Sequence, residues 1–485
     1  MIFTGKSVGL AGSVLAAFGA FEAGATGRDP VPSRTLATVS LYIGVVLILA
    51  AWVRLGQSAA SAREIVRTTW LWCVPLLCAP PLFSTDLYTY LAQGAVAHAG
   101  LDPYKHVPAE LPPSPITGSA AGDWLSISSP YGPLQILILK GVLAVTGENV
   151  LLGVFLTRLA LLPGLALLCF AVPVLCRHLG ARPERALWMT VANPLLVLCV
   201  VSGGHNDLLM AGLLAAGTAL VLTHAPGTGF ALVTLAAAVK APAAVALPFL
   251  VWVWAARRSG GRPSVRDHVF AFVTSVSIVV TTFGLCTVVA GVDLGWLRTL
   301  SRNSVLEPWL SIPTAVGNIV EAALPSATGA VAACRMAGWG VLACLVAWSW
   351  WRSRAGGATA VRGAAAALLA TVVLAPVTLP WYFTWPLVLG AAAAWPVSWV
   401  AVAAGVSTWL VVSTHPDGRT LLPPWGFGAL LVLAIGVGLL TAFPRVSSSG
   451  RGSRHRALPH PEDETRGQAM RSPTNFSTSG MIPRQ

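Results

Sequence analysis

Charged side chains are scarce in this sequence. Asp, Glu, Lys and Arg together make up 10% of its 485 residues, against about 25% in a typical soluble domain. A water-soluble protein with a fully wetted shell is excluded, because too few charges remain to coat it. Lysine is scarcer still, with only Lys6, Lys105, Lys140 and Lys240. The eight cysteines form no Cys-x-x-Cys pair and none sits with histidine at metal-ligand spacing. They read as small buried apolar residues. No Gly-rich nucleotide-binding signature occurs. The formal net charge of +13 is not gathered into one basic patch interleaved with aromatics, so nucleic-acid binding is not indicated.

What is abundant is uncharged apolar sequence. Runs at 36–53, 68–85, 159–176, 186–206, 269–292 and 420–444 approach or exceed the ~20 residues that cross a bilayer core. The expected class is an all-α, polytopic integral membrane protein. An apolar run follows Lys6 as far as Phe21, in the manner of a signal peptide. No small-residue cleavage site precedes Arg28, so an uncleaved first helix is expected.

Arginine sets the orientation. Arg54, Arg63 and Arg67, then Arg177, Arg182 and Arg185, then Arg257, Arg258, Arg262 and Arg266, and finally Arg352, Arg354 and Arg362 mark short loops. The positive-inside rule assigns these to the cytoplasm. Threading spans between them predicts about 13 or 14 transmembrane helices in a domain over 1–444. The Ser-, Pro-, Gly- and Arg-rich segment 445–485 is expected to be a disordered basic cytoplasmic tail. Two long outer loops result, at about 85–133 and 291–325. Nearly every polar group that is not a topology marker then falls on one side of the membrane. An enzyme working at the outer interface needs them there, whereas a transporter needs polar groups mid-span with access to both sides.

Several groups stand out on that face. Asp86 follows the run 68–85, and a partly dehydrated acid there suits a general base; the plainer reading is a helix end facing water. Tyr90 to Tyr104 reads as a short interfacial helix and a turn, and Pro133 as the opening of another helix. In Gly203-Gly204-His205-Asn206-Asp207, either Asn206 or Asp207 caps the next helix or the triplet serves a site. Lys240 lies between two short apolar segments, expected as a hairpin with the lysine at its outer tip. It either snorkels to lipid phosphate or binds a substrate phosphate. Arg302 and the hydroxyls of Ser311 and Thr314 lie in the second outer loop, and Trp381 and Tyr382 offer rings for a membrane belt or for stacking on sugar.

Five stretches occur in order: Asp86-Leu87-Tyr88-Thr89-Tyr90-Leu91-Ala92-Gln93-Gly94, Gly100-Leu101-Asp102-Pro103-Tyr104, Ser129-Pro130-Tyr131-Gly132-Pro133-Leu134, Gly203-Gly204-His205-Asn206-Asp207 and Lys240-Ala241-Pro242. Together they resemble the actinobacterial polyprenol-phosphate-mannose-dependent α-(1→6)-mannosyltransferases that build the mannan core of lipomannan and lipoarabinomannan. Those are glycosyltransferases of the C-type (GT-C) membrane fold. The resemblance covers residues 68–385 and leaves out the basic tail. It implies a polyprenyl-phosphate-mannose donor, a phosphatidylinositol mannoside or lipomannan-type acceptor, and transfer on the outer face of the plasma membrane. It implies an acid of the first outer loop as catalytic base, matched by Asp86 with Asp102 as second candidate. Lys240, Arg302 and Lys105 are the implied donor-phosphate cations. Tyr88, Gln93, Tyr131, His205, Asn206, Asp207, Trp381 and Tyr382 are the implied sugar and acceptor contacts. No nucleotide is needed with a lipid-borne donor. Some members of the wider fold use a divalent metal, and no ligand set in this sequence requires one. Two other classes fit the composition: a lipid-linked sugar flippase and a non-catalytic membrane scaffold. Within the enzyme class, a different polyprenyl-phosphate sugar is the alternative donor.

Overall fold

The computed structural model describes residues 5–22, 33–302, 310–418 and 427–442. The segment 303–309 and the tail 445–485 lie outside the described residues. The described chain is helical throughout, and its only β-type pairing is an isolated bridge between Gly180 and Ala393.

Helices α1 (Gly5–Glu22), α2 (Ser33–Gln57) and α3 (Ala62–Leu77) open the chain. Ser61 caps α3 through a reciprocal box with Glu64, which satisfies two of the backbone donors left free at a helix start. The apolar run 68–85 is not one span. Helix α3 stops at Leu77, and Pro80-Pro81 follow, which lack the amide donors needed to continue it. Asp86 therefore begins α4 (Asp86–His98) rather than ending α3. Next come α5 (Pro133–Thr146), α6 (Pro163–Leu179), α7 (Asp207–Leu222) and α8 (Pro226–Val239).

Five helices among the described residues are long and apolar enough to cross a membrane: Thr35–Gln57, Val150–Leu179, Val265–Ala290, Ala330–Arg352 and Gly357–Leu374. A sixth is the bent pair of Leu195–Ser202 and α7, which turn by 118° at the Gly203-Gly204 break. Five shorter apolar helices of 10–17 residues accompany them. Among the described residues, length and composition alone thus mark fewer spans than the expected 13 or 14. Proline and glycine breaks turn several apolar runs into stacked short helices. The run 186–206, for instance, divides at Asn193-Pro194 into Pro183–Met189 and a π-helix, Leu195–Ser202.

The packed interior lies around that π-helix and α7, whose residues Leu195–Ser202 are all buried. By contrast, Val265–Ala290 and Ala330–Arg352 keep only 17% of their apolar window inside. Phe272, Val288, Met336, Trp339 and Trp348 point outward from them. Outward apolar side chains on long uncharged helices suit contact with lipid tails. Cys78 and Cys344 are exposed, so the cysteines are not uniformly buried.

Candidate active site

Helical spacing explains what α4 offers. Positions 86, 90 and 93 are separated by four and three residues and share one face. That face carries Asp86, Tyr90 and Gln93. Tyr88 points elsewhere, into a small apolar cluster with Leu87, Leu91, Ile116 and Val142.

The Gly203-Gly204 break delivers the second set of groups. Gly204 has a φ of +72°, and a Cβ there would lie 2.0 Å from Leu87 Cδ1, so only glycine fits. After it come His205, Asn206 and Asp207, all fully buried. None acts as a helix cap, since Asn206 occupies the cap position without a side-chain bond to the helix backbone. Asn206 Oδ1 instead accepts from the Tyr90 hydroxyl at 3.4 Å. The same hydroxyl lies 3.5 Å from His205 Nδ1. His205 Nδ1 is also 3.4 Å from Asp86 Oδ2, and its ring stacks on Trp381 with centroids 3.8 Å apart.

Lys240 follows α8 at a proline-marked break, and it is buried rather than snorkelling. Its ammonium donates to Asp207 Oδ2 at 2.8 Å and Oδ1 at 3.0 Å. Trp385 Nε1 donates to Oδ1 at 2.5 Å. The rings of Tyr382, Trp385 and Tyr131 surround the ammonium at 4.5, 5.4 and 5.9 Å. Gly132 brings this segment against α5: its N–H donates to Val239 O, and a Cβ would lie 2.3 Å from Ala238 O.

The two carboxylates differ in surroundings. Asp207 has both oxygens occupied and no exposure. The Asp86 side chain keeps 14% of its surface exposed. Helix α4 is not among the membrane-spanning candidates. Burial pushes the Asp86 carboxyl up to about 6; the Lys240 charge opposes the rise, the Asp207 charge adds to it, and a Ser84 hydrogen bond lowers it. The acid is therefore half ionised near pH 6 and largely ionised at neutral pH, and part of its side chain stays exposed, as a general base requires.

The approach to Asp86 is also held. Phe83 is buried with a φ of +62°, an uncommon conformation for a bulky residue. Its N–H donates to Pro416 O at 2.7 Å. Arg158 is the other brace. It is buried, donates to Leu77 O at 3.1 Å and Ala79 O at 2.5 Å, and also donates to Ser202 O. One guanidinium thus ties the lead-in to Asp86 to the lead-in to His205.

Asp102 and Lys105 make their polar contacts with other partners. Asp102 Oδ1 accepts from the Tyr104 N–H at 3.0 Å in a local turn. Its other oxygen meets Lys105 at 3.1 Å, and Lys105 also reaches Asp293 at 2.6 Å. Arg302 ends a short helix, Trp296–Arg302, and its side chain lies outside the described residues. No group of three or more His, Cys, Asp or Glu among the described residues is arranged to hold a metal ion. Sequence reasoning did not pick out Trp385, Tyr90 or Arg158. Trp385 had a readable signal, lying four residues after Trp381. Arg158 had none, because its carbonyl partners come from distant segments.

Residues 6–256 match the family described as alpha-(1->6)-mannopyranosyltransferase, N-terminal domain, and residues 312–443 match the MptB C-terminal domain. Alpha-(1->6)-mannopyranosyltransferase A of Mycobacterium tuberculosis is 38% identical over 443 residues, covering 86% of each chain. The protein of the same name from Corynebacterium glutamicum is 32% identical over 379 residues, covering 71% of this chain and 76% of its own. Alpha-(1->6)-mannopyranosyltransferase B of Corynebacterium glutamicum is 30% identical over 432 residues, covering 79% and 72%. No solved structure matches the chain significantly. The cluster of Asp86, His205, Asp207 and Lys240 draws on the first matched region and its tryptophans on the second, and the chain belongs to the alpha-(1->6)-mannopyranosyltransferase family.

Proposed function

We propose that this multi-pass membrane protein transfers mannose from polyprenyl-phosphate-mannose to a mannoside acceptor, forming an α-(1→6) bond of a lipomannan-type core on the outer face of the plasma membrane. The observation that carries the reading is the pairing of an open, elevated acid, Asp86, with a buried cation, Lys240, in one cluster. The family membership and the names of the relatives support mannosyl transfer to a 6-hydroxyl.

The reaction follows from the charges. Asp86 takes the proton from the acceptor 6-hydroxyl as its oxygen attacks C1 of the mannosyl group. The C1–O bond to phosphate breaks on the opposite face, and the phosphate leaves with the electron pair. A β-linked donor therefore gives an α-linked product. An ammonium has three N–H donors. Asp207 takes two from Lys240, which leaves one for a phosphate oxygen of the leaving group. His205 and Tyr90 orient Asp86 from the buried side. Trp381 and Tyr382 supply rings on which a pyranose can stack.

The direct test is incubation of purified protein with labelled polyprenyl-phosphate-mannose and a short α-(1→6)-mannoside. Label should pass to the acceptor in α-(1→6) linkage; movement of the donor across proteoliposomes without bond formation would instead make it a flippase. For the outer-face assignment, Ala109→Cys and Gly261→Cys in a background lacking the native cysteines should label from opposite sides of intact cells. Labelling of both from outside would overturn it.

A further inference from the structure

This fold pairs a buried amide fully when the amide is structural. Asn193, which is buried, donates to Met189 O and Ser407 Oγ, both at 2.9 Å, and accepts from the Leu195 N–H at 2.9 Å. Three other buried amides are treated differently. Gln93 accepts from Ser129 at 2.9 Å, but its Nε2 has no partner. Asn206 accepts from Tyr90, but its Nδ2 has none. Gln135 has no partner at either end and is fully buried. An unpaired buried polar group is destabilising, and native structures hold few of them.

The three are neighbours of one site. Gln93 lies on the Asp86–Tyr90 face of α4. Asn206 touches Tyr90. Gln135 lies one turn into α5, four residues after Tyr131 and four before Leu139, and Tyr90, Tyr131 and Leu139 pack as one cluster. Two further unpaired polar atoms, His205 Nε2 and Trp381 Nε1, sit at the stacked pair beside Asp86.

We propose that Gln135, with Gln93 and Asn206, forms a subsite for the hydroxyl groups of a pyranose; this rests on the mannosyl-transfer reading above. Gln135 presents a free donor beside a free acceptor, the spacing that two adjacent sugar hydroxyls complement, and Gln93 and Asn206 each add a free N–H donor. The groups are neutral, so the subsite takes an uncharged polyol rather than phosphate, whose cation is Lys240. The pyranose belongs either to the donor's mannosyl group or to the acceptor, and the kinetics separate the two.

The experiment compares the full chain with Gln135→Met in detergent, measuring melting temperature without substrate and initial rates against each substrate in turn. The variant should melt at the same temperature or higher, because it sheds an unpaired amide. The KM for one substrate should rise about five- to tenfold, as loss of one neutral hydrogen bond implies. A rise for the donor alone places the donor sugar there, and a rise for the acceptor alone places the acceptor. Unchanged KM for both overturns the proposal and makes Gln135 a packing residue. Should Gln135→Met fail to fold, Gln93→Met carries the same measurement. If the wild-type chain transfers no mannose, the enzymatic reading falls separately. The subsite is then decided by methyl α-mannoside, which should raise the wild-type melting temperature and not that of Gln135→Met; no rise in the wild type overturns it.

Discussion

Two lysine–aspartate arrangements in this molecule have similar distances and opposite settings. Lys105 bridges Asp102 and Asp293 at 3.1 and 2.6 Å, with its side chain 58% exposed. Lys240 meets Asp207 at 2.8 Å, with side chains 9% and 0% exposed. Water can replace either partner in the first pair. In the second, the rings of Tyr131, Tyr382 and Trp385 and the Trp385 indole stand where water would be. Charges buried in a membrane protein are costly and persist where they are used. Distance therefore says little about these pairs, and their surroundings are what make the buried one the candidate for the proposed chemistry. The exposed pair staples the turn at Asp102 to the segment at Asp293; the buried pair lies beside His205 and Asn206 in the interior.

The largest expected effect falls beside the buried pair. Asp86→Asn keeps shape and removes the proton-accepting charge, so transfer should fall by about 10²–10⁴ in a protein that still folds. In the wild type, kcat/KM should decline as pH drops below about 6, where Asp86 takes up a proton, and the residual rate of the variant should lack that limb. The stability sign is opposite. An acid raised on folding stabilises the fold at low pH, and that contribution is lost as pH rises through about 6. The variant should be flatter there in a melting series.

Lys240→Met comes next, because it leaves Asp207 buried without its cation. Removing one partner of a buried pair costs ~3–5 kcal/mol, which a melting experiment would register. Asp207→Asn combined with Lys240→Met should regain most of the melting temperature and none of the turnover. Recovery of turnover would return Lys240 to a structural role.

Lys105→Ala and Asp102→Asn complete the comparison with the smallest effect. Exposed ion pairs contribute little, so both should keep turnover within about twofold and melt close to the wild type. Loss of turnover in Asp102→Asn together with near-normal rates in Asp86→Asn would move the base to Asp102.

Much of this was legible in the sequence for physical reasons. Scarce charge dictates a membrane class, and Asp86 stands out as an acid at the end of an apolar run; that Tyr90 and Gln93 share its face follows only once α4 is seen to begin at Asp86. His205 to Asp207 are polar groups at a diglycine break, where polar cost demands a use. The span count was less legible, because apolar runs look alike whether they form one long helix or two short ones. Only the Pro80-Pro81 and Asn193-Pro194 breaks separate the cases. Arg158 was silent in the sequence, since the carbonyls of Leu77, Ala79 and Ser202 that it binds leave no trace in composition. Gln135 was similarly silent within an apolar helix.

The Phe83 N–H bond to Pro416 O has a wider meaning. Phe83 lies in the region matched at 6–256 and Pro416 in that matched at 312–443. The left-handed turn that sets the first residue of α4 is held by a carbonyl from more than three hundred residues away. The two matched regions thus meet at the start of α4. A relative that exchanged its second region for another of equal hydropathy would keep every acid and lysine of the first, yet lose the register that aims Asp86.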